Sequence, residues 1–245
     1  MKFKNILLAL LAIAVGIVIF YSFSGSDSFE EYNQQLQKER KDKNDFMRSS
    51  NESPFVSMKE KFDSLKYFPA DLKYRVNAFL EPIQNKKIVT LPASDGAEAQ
   101  YKEYAYATFS LDGVDCKLLI LEVFDTGPTS GTLFLAFADE TSADETYGAG
   151  RYLEVKKVPG ASSILLDFNK AYNPYCAYVD NFSCPFPPKE NVLKVKVRAG
   201  EKNYHSQDIV VDLDGILLRC YKEKFMDEND QMIDPFHSIL KLKIF

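Results

Sequence analysis

The stretch from Tyr101 to Phe124, YKEYAYATFSL followed by DG and VDCKLLILEVF, constrains the fold more than any other part of the chain. Tyr101 to Leu111 alternates with period two, placing Ala105, Ala107, Phe109 and Leu111 on one face. Successive side chains of a strand point to opposite faces, so the pattern belongs to a strand with one buried side. Asp112 and Gly113 tolerate the positive φ values of a type I′ turn, and such turns join antiparallel neighbours. In the returning strand, Leu118 to Leu121 is apolar on both faces, which predicts a central position in a sheet.

The same signature recurs downstream. Thr132–Ala138 (TLFLAFA), RYLEV from Arg151 and SILLDF from Ser163 read as strands. In VLKVKVR, Leu193, Val195 and Val197 alternate with Lys194, Lys196 and Arg198, which predicts a half-exposed strand. IVVDL, Asp214-Gly215 and ILLRCY read as a second hairpin, and SILKLKIF as a last strand. Seven or more strands joined by hairpins predict a mainly β (α+β) domain, an antiparallel barrel or sandwich, with its helices at the N-terminal end.

That end is different in kind. Lys2 and Lys4 precede Ile6 to Phe23, which carries no charge, and Asp27, Glu30 and Glu31 follow. The apolar run reaches ~27 Å as a helix, against a bilayer core of ~30 Å. Positive before and acidic after predicts a membrane anchor with the rest of the chain outside the cytoplasm, on the periplasmic side; a cleaved signal segment is the rival. From Ser28 to Arg48 the chain reads as a polar stalk helix, capped by Ser28, with Phe29, Tyr32 and Leu36 on one face. A further short helix is expected around Ser57 to Leu65. The organisation expected is therefore 1–27 anchor or signal, 28–56 stalk, 57–203 β domain and 204–245 hairpin extension.

Much chemistry is excluded. Net charge is -5, so a cationic nucleic-acid surface is not expected. The two histidines, His205 and His237, both lie in the tail, which argues against Ser-His-Asp and Cys-His mechanisms. No phosphate-binding loop, dinucleotide fingerprint or H-E-x-x-H is present, so neither a cofactor nor a metal is expected. DENDQMID from Asp227 fails as a calcium loop, because Met232 and Ser238 stand where Gly and Glu are needed.

Two dense segments remain. ADETYGAGRYLEV offers Tyr147, two glycines and Arg151; the arginine either clamps an anion or pairs with a buried acid, Asp167 or Glu154. Asp167 to Asn191 holds two cysteines, four prolines, four asparagines and six aromatic residues, including Asp167, Asn169, Tyr172, Asn173 and Tyr178. Such asparagines either fix loops through backbone bonds or, with tyrosines, line a site for a small polar metabolite. Cys176 and Cys184 either form a disulfide, worth about 2.6 kcal/mol for so short a loop, or remain two small buried thiols. The carboxylates Asp139, Glu140, Asp144 and Glu145 fall in ADETSADET, which reads as exposed loop.

At TYGAGRYL, LDFNKAYNPYCAY, CPFPPKEN and RAGEK, with YFPADLKYRV upstream, the chain resembles the domain-of-unknown-function family numbered 1684, uncharacterised proteins of bacteria and archaea. The resemblance covers roughly residues 34–203. It implies that Tyr147, Gly148, Gly150, Arg151, Asp167, Asn169, Tyr172, Asn173, Cys176, Tyr178, Cys184, Pro185, Glu190 and Asn191 occupy signature positions. It implies no reaction, and the tail from Tyr204 departs from the family's pattern.

Three functions follow as expectations. The first is an envelope-anchored domain binding a small polar or anionic ligand through Tyr147, Arg151, Asp167, Asn169, Tyr172, Asn173 and Tyr178, framed by a Cys176–Cys184 staple. The second is a histidine-independent hydrolase using Asp167 and Arg151. The third is a structural or interaction protein of the cell envelope, whose aromatic segment is a lid.

Overall fold

The computed structural model describes residues 13, 15, 29–56, 62–124, 127, 129–179 and 182–204. The expected anchor, the hairpin at Asp214-Gly215, both histidines and Cys220 lie outside the described residues, apart from Ile13 and Val15. Among the described residues, no helix is long and apolar enough to cross a membrane. The chain divides into two compact units, Met1–Asn51 and Glu52–Phe245.

The first unit contains helix α1, over 29–49. Its exposed face is held by pairs one turn apart, Lys41 to Asp45 at 2.8 Å among them. Such pairs stabilise an exposed helix by only a few tenths of a kcal/mol each. Of the helix expected at Ser57 to Leu65, residues 57–61 are not described and 62–65 are irregular.

The second unit is a single eight-stranded sheet, curled into a half-barrel. Its strands are β1 (Arg75–Pro82), β2 (Ile88–Pro92), β3 (Glu98–Leu111), β4 (Val114–Val123), β5 (Leu133–Asp139), β6 (Arg151–Leu153), β7 (Ser163–Asp167) and β8 (Val192–Leu193). The order is β6-β5-β4-β3-β1-β7, with β2 on β3 and β8 on β5. All pairings are antiparallel except β5 with β8. The sheet thus takes a barrel's curl without its closure, and the sandwich alternative is set aside.

The β3–β4 hairpin follows from its sequence. Asp112 and Gly113 have φ 50° and 78°, and Leu111 pairs with Val114 across the two-residue turn. A register shift between Glu103 and Ala105 marks a bulge. One extra residue reverses which parity faces which side and bends the strand. Ala105, Ala107 and Leu111 therefore enter the main core, while Tyr101 joins a second cluster. On β4, Leu118 and Ile120 belong to the first cluster, and Leu119 and Leu121 to the second. Burial of both faces agrees with the central place expected for this strand.

Strands β4 and β5 pair only at Leu121–Phe134 and Glu122–Leu133, then part. Asn191 fills the split. Its Oδ1 accepts from Leu119 N at 2.6 Å, and its Nδ2 donates to Leu119 O at 2.9 Å and Ala136 O at 2.8 Å. The amide replaces ladder bonds that divergence would leave unmade inside the core.

VLKVKVR departs from its expectation. Only Val192–Leu193 is strand, although Val195 and Val197 are buried and Lys194 and Lys196 exposed. The alternation persists because one side of this segment covers the core. From Val197 onward, the carbonyls of Val197, Ala199 and Glu201 accept from a side chain, Arg151.

Candidate functional site

The predicted residues separate into two groups with different surroundings. The first group is a buried polar network. Arg151 is 1% exposed, as the first residue of β6. Its Nη2 donates to Asp139 Oδ2 at 2.9 Å and Val197 O at 2.8 Å; its Nη1 donates to Glu201 O at 3.2 Å and also to Ala199 O. The guanidinium thereby reads alternate carbonyls along 197–201, as a strand's amides would. It also lies over the Phe137 ring, 5.3 Å from the centroid.

Its partner acid is Asp139, not Asp167 or Glu154, and Asp139 is buried where an exposed loop was expected. Asp139 Oδ1 accepts from Thr141 N, Thr141 Oγ1 and Val197 N at 2.8, 2.7 and 3.1 Å. Those bonds satisfy the carboxylate's remaining lone pairs, which a buried ion pair requires. Asp144 and Glu140 are exposed as expected, and Glu145 pairs with Arg198 at 2.8 Å.

Glu201 is the second centre of this network. Its Oε2 accepts from Asn173 N at 2.9 Å and from the Tyr178 hydroxyl at 2.5 Å. Burial, then the adjacent Glu201 charge, pushes the Tyr178 phenol well above its ordinary range. Asn173 Nδ2 donates to Lys202 O at 2.8 Å. Asn169 brackets Asp71, accepting from its N–H at 3.0 Å and donating to its carbonyl at 2.8 Å. These asparagines hold backbone. Asp167 ends β7, accepts from Asn169 N at 3.2 Å and sits 3.8 Å from Arg75 Nε. Asp167 thus serves Arg75 and Asn169, whereas Arg151 serves Asp139.

Gly150 has φ 88°, and a Cβ there would come within 2.5 Å of Phe137 O and 2.8 Å of Pro187 Cγ. It serves the turn that delivers Arg151 into the interior.

The second group is a half-exposed aromatic and thiol wall. Tyr101 stacks on Phe134 with centroids 4.7 Å apart, Phe134 meets Tyr152 edge-on at 5.0 Å, and Tyr152 meets Tyr172 edge-on at 6.0 Å. The row runs from β3 across β5 and β6 to the segment after β7. Phe134, Tyr152, Tyr172, Tyr147 and Cys176 are all partly exposed. Tyr152 donates its hydroxyl to Pro185 O at 2.6 Å. Burial pushes the Tyr152 phenol up strongly, and raises Tyr172 to about 12.

Cys176 and Cys184 stand together beside this row as free thiols, not as the expected disulfide. Cys176 N donates to Cys184 Sγ at 3.2 Å, and Tyr147 donates its hydroxyl to Cys176 Sγ at 3.8 Å. Ser94 fixes Cys184 from both sides, donating its N–H to Cys184 O at 3.0 Å and accepting from Cys184 N at 3.1 Å. The hydrogen bond from the Cys184 thiol, helped by the Ser94 and Tyr147 hydroxyls, lowers Cys176 to about 7. That same shared proton, with burial, pushes Cys184 up.

Asp139, Glu201 and Tyr152 are among the members of these groups that escaped sequence reasoning. Asp139 was hidden in a polar run, and Glu201 had only the RAGEK stretch as a signal. Tyr152 lay one residue beyond Arg151 in a segment read for its arginine.

The family model described as "Protein of unknown function (DUF1684)" matches residues 60–202. The chain belongs to this family. The matched span contains both residue groups and all eight strands. A solved relative is the uncharacterised protein from gene locus rrnAC0354 of Haloarcula marismortui, a solution NMR structure. It is 37% identical, with a TM-score of 0.55, over 72% of this chain and 96% of that one. No curated protein matches the chain.

Proposed function

We propose that this is an extracytoplasmic half-barrel, tethered by its N-terminus, that binds a small polar ligand on the aromatic wall of Tyr147, Tyr152 and Tyr172. The tether rests on Ile6 to Phe23 and its flanking charges. The binding reading rests on one observation: the predicted residues divide into an engaged interior and a half-exposed aromatic row. Tyrosine faces with nearby hydroxyl and thiol edges suit a ligand with one flat apolar face and polar rims, of the sugar class. Arg151 is not part of this site, because Asp139 and three carbonyls already hold it. The anionic form of the ligand expectation loses its cation, and the polar form remains.

The test compares native and denatured intact masses of the full chain purified in detergent. Extra mass in the native spectrum alone, lost in Tyr172→Ala, is the expected result. An absent adduct, or one that Tyr172→Ala retains, overturns the reading.

A further inference from the structure

Cys176 and Cys184 differ in ways a permanent staple would not need. Cys176 is partly exposed, and Cys184 is buried. The Tyr147 hydroxyl donates to Cys176 Sγ at 3.8 Å, so the sulfur of the more exposed cysteine has a donor suited to a thiolate. The buried sulfur is held against the Cys176 backbone at 3.2 Å, with its own backbone clamped by Ser94. Cys184 Sγ thus lies against the Cys176 backbone, on the more buried residue of the pair.

We propose that Cys176 and Cys184 form a thiol–disulfide exchange site, with Cys176 the attacking thiol and Cys184 the resolving one. The co-reactant is a disulfide, R–S–S–R′, small or borne by a protein. The Cys176 thiolate attacks one of its sulfurs, a Cys176–S–S–R bond forms, the S–S bond breaks and R′–S⁻ departs. Cys184 then yields its proton to the departing thiolate and attacks Cys176 Sγ. The Cys176–Cys184 bond forms and R–S⁻ leaves. Two electrons pass from the pair to the co-reactant, and the reverse sequence reopens the pair. The lowered Cys176 pKa supports this order of events. A lowered thiol pKa leaves more thiolate at neutral pH, at some cost in intrinsic nucleophilicity. This proposal does not depend on the ligand reading.

The experiment uses the full chain in detergent, reduced and then exposed to glutathione disulfide at pH 7. Acid quenching and peptide mapping then separate its four cysteines. In Cys184→Ser, glutathione accumulates on Cys176. In Cys176→Ser, it does not appear on Cys184. The natural chain passes to a Cys176–Cys184 disulfide that reduced glutathione reopens without denaturant. Iodoacetamide labelling of Cys176 in the natural chain is half-maximal near pH 7, and Tyr147→Phe moves that midpoint upward. A disulfide that reduced glutathione cannot open in the folded chain makes the pair a staple and overturns the proposal. So does a Cys176 that labels with the midpoint of an ordinary thiol, or equal modification of Cys184 in Cys176→Ser.

Discussion

The Arg151–Glu201 network and the Tyr172–Cys176 wall both draw residues from ADETYGAGRYLEV and from Asp167–Asn191, yet one is buried and the other keeps exposed surface. In the network, Arg151, Asp139, Asn173 and Glu201 are each 5% exposed or less, and each has protein partners. In the wall, Tyr147, Tyr152, Tyr172 and Cys176 keep exposed surface. The comparison teaches that a dense polar motif need not be a binding site. Where the chain lacks a neighbouring strand, polar side chains become the neighbour. Arg151 does this for 197–201, and Asn191 does it between β4 and β5.

The sharpest way to break the comparison is to remove Arg151. Arg151→Met leaves Asp139 charged and buried, and is expected to cost about 3–5 kcal/mol in urea unfolding. Adding Asp139→Leu would rescue a simple ion pair. Here it is expected to rescue little, because the carbonyls of Val197, Ala199 and Glu201 still lose their guanidinium donor. Full recovery in the double variant would mean that the arginine acts through charge alone.

Asn191→Ala strands three backbone groups in the core and is expected to cost roughly 3 kcal/mol or more by the same measurement. Gly150→Ala forces a side chain into φ 88° and against Phe137 O, at a cost of roughly 2 kcal/mol or more. On the wall, Tyr172→Ala removes an edge-on ring contact at a partly exposed position, and is expected to cost only about 1 kcal/mol.

Ionisation sharpens the contrast further. The folded-state phenols of Tyr172 and Tyr178 are raised, so folding favours their protonated form. Their contribution is complete below the unfolded value of ~10 and is lost as pH rises through the folded values. Unfolding midpoints are expected to hold steady up to about pH 10 and then decline, with a shallower decline in Tyr178→Phe. An unchanged slope in that variant would place the titration elsewhere.

What the sequence revealed of this molecule is what local pattern can carry. The alternation from Tyr101, the Asp112-Gly113 turn and the doubly apolar Leu118–Leu121 each act over a few residues, and the β3–β4 hairpin follows them. VLKVKVR misled because its hydrogen-bond partner is a side chain on β6, far away in sequence. Asp139 misled because ADETSADET has an exposed composition, whereas the burial of its first acid depends on that same arginine. Cys176 and Cys184 were legible as neighbours but not as unequal thiols, since the inequality comes from the hydrogen bond they share, then from burial and the Ser94 and Tyr147 hydroxyls.

The most direct test of this division is to measure ligand adduct and unfolding midpoint together in Tyr172→Ala and Tyr178→Phe. Both tyrosines belong to the same predicted site, but Tyr178 hydrogen-bonds Glu201 in the interior while Tyr172 closes the exposed row. The account predicts that Tyr172→Ala loses the adduct seen in the native mass spectrum and keeps most of its stability. It predicts that Tyr178→Phe keeps the adduct and loses about 1–3 kcal/mol. Loss of the adduct in Tyr178→Phe at unchanged stability, with retention in Tyr172→Ala, would contradict it and place the site in the interior network.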